Sequence, residues 1–494
     1  MATIIRGPAW SRPGLDVVGG RYPLRVERHL GRLVDGLLPG VISTTPHARS
    51  FALHTLVWAE AADRGLDHAE AVALMRRCEV VLAGVTLLHE GHLTWIPDPH
   101  GGGVIKKAME HAGLVEVAKL ARPQAYSQNS WGFAGVYLGS ELRLGLVEHG
   151  RPPTPGRRAD LNVLKEALGE IVELASKDSL DPSALKAVPH LCACGAPAAA
   201  DGPWLRSIFV RPDAQEDLEE VDRARRETAQ LLGRALSRGS AATPHEAFQH
   251  ALAFGDFILD DALAASLPIA QAWRGAVLRN YSVGAWRRIW SWVVEMLGEP
   301  ASVDDLADQL AEALPEMTVS EMLDSLPPRV DDRTLLPAED QLRSAQWAPD
   351  PFTEVRLLAL GGLRLEDLEG RALSAFAGRE DEDDLGPRWF RAQLEARRAD
   401  SLRTFGRWLA EMMVLRAQRV ALTKMDFNRT TGRFWIPSRI RERAGLISRL
   451  SREGWFDVGL RIDTFSSVLA GCGVLERGTD GVWRTTEEGD VILG

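Results

Sequence analysis

The chain has 494 residues, 45% of them hydrophobic and 26% charged, enough for two to four domains that each bury a core. That balance excludes large-scale disorder, and a net charge of -10 argues against a nucleic-acid binder unless the charge is polarised along the chain. The four cysteines, Cys78, Cys192, Cys194 and Cys472, are too scattered for a disulfide framework and suit a reducing cytosol. No apolar run reaches the ~18 residues of a membrane span, and MATIIRGPAW lacks signal-peptide character, so a cytoplasmic protein without membrane contact is expected.

Helical periodicity dominates the first third. Val26, Leu30, Leu33, Val34 and Leu37 recur at spacings of three and four, predicting a helix over 25–38; further helices are predicted over 48–62 and 68–82. LLHEGHLTWIPDPHGGG (87–103) reads as a short strand or hairpin. Its His89 and His92 stand three apart, not the four of a helical zinc-protease motif, and on a strand they would face opposite ways. Surface histidines are therefore expected there. GVIKKAMEHAGLVEVAKLA reads as helix, and Tyr126, Trp131, Phe133 and Tyr137 beside glycines predict close, irregular packing. HGRPPTPGRRAD (149–160) marks a boundary.

The chain from Leu161 to about Leu326 is again helical, interrupted at 196–203. HLCACG offers His190, Cys192 and Cys194, but lacks C-x-x-C spacing and an evident fourth ligand, so small buried cysteines are expected rather than a metal site. Asp256, Asp260 and Asp261 read as a capped, solvated helix face. Trp286, Trp290 and Val293 form a core stripe. GREDEDDLGP (378–387) is a second boundary. Phosphate loops and G-x-S-x-G elbows are absent, so neither an enzyme nor a cofactor is expected. The resulting division is a helical domain with an irregular Gly/aromatic segment (1–150), a middle helical domain (151–385) and a basic module (386–494).

In the last segment, 399–422 is predicted as a long helix with Leu402, Phe405, Leu409, Met412 and Met413 inward. A turn and short strand follow at TTGRFWIP. PSRIRERAGLISRLSREG (437–454) is predicted as a helix, with Ser438 as its cap and Gly454 as its stop. A second helix carries Ile462, Phe465, Val468 and Leu469 inward, and LERGTDGVWRTTEEG reads as a hairpin with its tip at Gly478, Asp480 and Gly481. This order resembles a winged helix, and the closing TTEEG resembles the end of many bacterial examples. Sixteen basic residues against five acidic ones give 388–452 a net charge of +11. Such a segment can neutralise phosphates. The predicted DNA contacts are Arg439, Arg441, Arg443, Arg449 and Arg452 on the preceding helix, Arg461, Thr464 and Ser467 on the second, and Arg477 and Arg484 in the wing. Asp463, Thr464, Ser467 and Ala470 on the outward face suit backbone contact better than base reading.

PGVISTTPHARSF, GVIKKAMEHAGL and YSQNSWGFAGVYLG together are similar to segments of uncharacterised bacterial proteins encoded beside helicases and nucleases in antiviral defence islands. The resemblance implies a mainly α, multi-domain component of such a system, non-enzymatic, that binds DNA or docks a helicase or nuclease. The alternatives are a stand-alone winged-helix transcriptional regulator and a diverged metal-dependent nuclease.

Overall fold

The computed structural model describes residues 16–18, 20, 22–211, 219–238, 242–253, 256–329, 337–343, 349–379, 385–429 and 432–494. Helices dominate and the strands are few and short, so the chain is mainly α. The described residues form two compact units, one of 1–33 with 251–458 and one of 34–250 with 459–494. The 386–494 segment contributes to both.

The 34–250 unit is built around the helix Ala48–Asp63. Nearly all its positions are buried, including Phe51, Leu53, Leu56, Val57 and Trp58. A helix buried on nearly every side has to be enclosed by others, and here His68–Leu88 and Leu161–Ala175 pack on it. His68–Leu88 begins in a capping box: Asp67 accepts from the Glu70 N–H and Glu70 accepts from the Asp67 N–H. Ile462–Gly471 lies against Ala48–Asp63 so closely that a Cβ on Gly471 would stand 2.9 Å from the Ala48 Cβ. The hairpin Leu475–Arg477 with Trp483–Thr485 forms as expected and packs on Glu220–Arg238, as does the final helix Glu487–Leu493.

In the other unit the 28-residue helix Pro268–Glu295 is the centre, with Trp273, Trp286 and Trp290 buried and Pro351–Leu363 and Gly370–Ala377 against it. The core stripe expected from Trp286, Trp290 and Val293 is present. Leu402–Thr423 packs on Val303–Glu312, turning Leu402, Phe405, Leu409 and Met413 inward. A three-stranded sheet pairs Arg433–Pro437 with Asp16–Val18 in parallel and with Asp426–Asn428 antiparallel.

Two expected elements are corrected. The 437–454 segment is not a helix: Ile440–Arg443 and Leu446–Arg449 form an antiparallel hairpin, Arg443 opposite Leu446. The two-residue loop Ala444–Gly445 has φ of 54° and 84°. Two positive φ values are the signature of a type I′ turn, whose twist matches paired strands. Ile440 and Ile447 are buried on one face, which Arg449 shares; Arg441 and Arg449 are half-buried and Arg443 is exposed. The 87–103 segment contains no strand; it is the end of His68–Leu88, a set of turns, and the start of Gly102–Ala112.

Candidate metal centre

His89 is the C-terminal cap of the His68–Leu88 helix, where the backbone leaves helical geometry (φ -76°, ψ 106°). The next three residues turn, and the His92 N–H donates to the His89 carbonyl at 3.0 Å. Gly91 leaves room for this fold-back, since a Cβ there would stand 3.0 Å from His89 Nε2. A turn, not a strand, is what allows both imidazoles to reach the same pair of sulfurs.

The sulfurs come from the loop after the single 3-10 turn Pro189–Leu191. Arg49, fully buried in the Ala48–Asp63 helix, holds this loop. Its Nη1 donates to the carbonyls of His190 (2.5 Å) and Cys192 (2.6 Å), and Nε and Nη2 form a bidentate pair with Asp201 at 3.0 and 3.1 Å. A Cβ on Gly195 would lie 2.4 Å from the His190 oxygen and 2.6 Å from Arg49 Nη1, so only glycine fits. Thr86, one turn before His89, accepts from the Ala193 N–H at 3.0 Å and ties the loop to the helix that carries the imidazoles.

The result is a tight set of three side chains, His89, Cys192 and Cys194, with His92 against one of the sulfurs. Cys192 Sγ and Cys194 Sγ lie 3.0 Å apart, Cys194 Sγ is 3.4 Å from His89 Nδ1, and Cys192 Sγ is 3.3 Å from His92 Nδ1. Ligand atoms of His89, Cys192 and Cys194 all fall within 4.8 Å of one another, the only such His/Cys/Asp/Glu group among the described residues. Around a tetrahedral zinc, with Zn–S near 2.3 Å and Zn–N near 2.0 Å, neighbouring ligand atoms stand roughly 3.3–3.8 Å apart. The two sulfur–nitrogen contacts already match and the sulfurs need spread by less than about 1 Å, but His92 lies outside the compact group and has to swing toward His89 to complete four ligands.

The electrostatics favour a cation. The Cys194 thiol is drawn down to about 3, chiefly by hydrogen bonding to Cys192 and then to His92 and His89. Its partner Cys192 is pushed up by the same contact, so the pair shares one proton. His92 is raised by its bond to Cys194. Its buried Nε2 finds no hydrogen-bond partner in the protein.

Beside this centre lies a buried polar network with a cavity of about 20 Å³, room for about one water, lined by His47, His54, Glu79, His100 and Ala193 among others. His54 bridges two carboxylates, Glu141 at 2.7 Å and Glu79 at 3.2 Å. Glu79 also accepts from the Tyr126 hydroxyl and from the N–H groups of Phe133 and Ala134. Glu141 Oε2 and His47 Nδ1 in this network are buried without a hydrogen-bond partner in the protein.

Other residues expected to matter are placed as follows. His190 points away from the sulfurs and pairs with Glu170 at 3.3 Å, so its place in the ligand set is taken by His89. Glu90 is exposed beside Lys186. Asp261 caps Ala262–Ser266; Asp260 is exposed and the Asp256 side chain lies outside the described residues.

Among the expected DNA contacts, Arg439, Arg441, Arg443, Arg449 and Arg452 come together on the hairpin and the segment tied to it. Arg439 pairs with Glu453 at 3.3 Å and Arg449 with Glu295 at 2.7 Å. In the other unit Arg461 pairs with Asp35 at 2.6 Å, Arg477 donates to the Gly481 carbonyl at 2.8 Å, and Arg484 pairs with Asp480 at 2.9 Å. Thr464 is half-exposed, and Ser467 bonds back to the Asp463 carbonyl at 2.9 Å.

No family model, curated protein or solved structure matches this chain.

Proposed function

We propose that the protein binds one zinc ion at His89, His92, Cys192 and Cys194, and that the ion is structural. The observation that carries this is the convergence of two half-motifs about 100 residues apart onto one pair of sulfurs. Two thiolates balance a divalent charge, and mixed sulfur and imidazole ligands in tetrahedral arrangement select zinc. Four protein ligands leave no open position for a reacting water, which separates this site from a catalytic zinc. Binding energy at such a centre is folding energy. The test is metal analysis of the purified chain with thermal unfolding before and after chelation. About one zinc per chain, lost in Cys192→Ser/Cys194→Ser with a fall in melting temperature, is expected. Metal-free protein whose stability ignores both chelator and zinc would refute the site.

Around this staple we propose a non-enzymatic component that contacts nucleic acid, of the kind that serves a bacterial defence complex. Its support is the net +11 of residues 388–452, all within one compact unit. Gel shifts on mixed-sequence DNA at two salt concentrations test it; no retardation at low salt would reject it. Ile462–Gly471 and the hairpin after it retain only the last helix and ribbon expected of a winged helix, the 437–454 helix before them being a hairpin, so the regulator is the weaker second reading.

A further inference from the structure

The arginine-rich hairpin region also displays aromatic side chains that the core does not use. Phe427 and Phe434 sit directly opposite each other on antiparallel strands, with ring centroids 5.1 Å apart, and are 44% and 46% exposed. Trp455 and Phe456 form a second exposed pair, nearly parallel at 4.6 Å. The two pairs are linked through Arg439. It follows the Arg433–Pro437 strand by two residues, its carbonyl accepts from the Leu450 N–H at 2.8 Å, and its guanidinium donates to the Arg452 carbonyl. Arg429 and Arg433, which flank the Phe427/Phe434 pair along the strands, are exposed, as are Arg443 and Arg452 on the neighbouring hairpin segment.

Exposed large aromatics cost free energy in water unless something covers them. A protein partner would be served by apolar contact alone. Flat rings among guanidinium groups instead complement bases and phosphates together, and stacking is open only to bases that are not enclosed in a duplex. We infer that this surface is a stacking platform for single-stranded nucleic acid, with Phe427 and Phe434 taking bases and the surrounding arginines following the backbone. This rests on the nucleic-acid reading above and gives it a preferred form of ligand.

The experiment is fluorescence anisotropy of the full chain with a labelled oligothymidylate of about twenty nucleotides and with a mixed-sequence duplex of the same length. Wild-type protein is expected to bind the single strand more tightly. Phe427→Ala/Phe434→Ala is expected to lose about tenfold on the single strand, with duplex binding and melting temperature unchanged. Phe427→Leu/Phe434→Leu keeps the apolar bulk without the ring face and should behave like the alanine pair. Single-strand binding within about twofold of wild type in both variants, or a wild-type preference for duplex, overturns the platform while leaving nucleic-acid binding intact. Binding to neither probe at low salt removes both.

Discussion

Arg49 and His54 lie five residues apart on Ala48–Asp63 and organise different halves of the site. The Arg49 guanidinium has its carboxylate, Asp201, in a bidentate pair that is fully buried. Removing one member of a buried pair strands the other charge and typically costs about 3–5 kcal/mol. Asp201→Asn is therefore expected to lower unfolding free energy in urea by roughly 3 kcal/mol and to weaken zinc retention, because Arg49 also holds the cysteine loop. A loss below about 1 kcal/mol would show that the fork does not anchor that loop. Burial disfavours charge on His54, but Glu141 and then Glu79 outweigh it and lift the imidazole to about 9. The unfolded value is about 6.5, so the folded state holds the extra proton between these limits. Its stabilisation is complete below about pH 6.5 and is lost as pH rises through about 9. Melting temperature should fall across that window, and His54→Gln should flatten the slope; an unchanged slope in the variant would disprove the assignment. Both cysteines and both histidines of the metal set stand in plain view in the sequence. What hid the set is that each motif offers only two ligands, and that His190, the nearest histidine, turns outward while His89 returns from a hundred residues away.

The hairpin at 440–449 shows why one element escaped the sequence reading while its neighbours did not. Ile462–Gly471 and the hairpin after it were legible because their apolar spacing and glycine turns agree. RIRERAGLISR carries apolar residues that satisfy either period, and Ala-Gly is a weaker turn signal than Asn-Gly. The structure decides through backbone geometry, and this gives a substitution whose sign separates the two forms. Gly445 has φ of 84°, so Gly445→Ala is expected to destabilise by about 1 kcal/mol. In a helix the same change would stabilise by about 1 kcal/mol. Chemical denaturation of the two proteins reads the sign directly.

For the whole chain, the sequence made the mainly helical character and the charge polarity plain, but not the division of the described residues into two units with interleaved segments. Discontinuity of that kind is set by long-range packing and leaves no local composition signal. The +11 segment is also less available than its count suggests. Arg391, Arg398, Arg403, Arg407, Arg439 and Arg449 all have carboxylate partners. Neutralisation by sixteen free cations would give a log–log salt slope near -14, so the paired set predicts a DNA-binding slope shallower than about -9. A steeper value would mean that these pairs open on binding.

The zinc proposed at His89, His92, Cys192 and Cys194 would tie the end of His68–Leu88 to the cysteine loop. X-ray absorption at the zinc edge of the purified chain reads its ligands. The expected first shell is two sulfurs near 2.3 Å and two imidazole nitrogens near 2.0 Å. A shell with one sulfur or none, or with an oxygen in place of the His92 nitrogen, would rule out the four-ligand site.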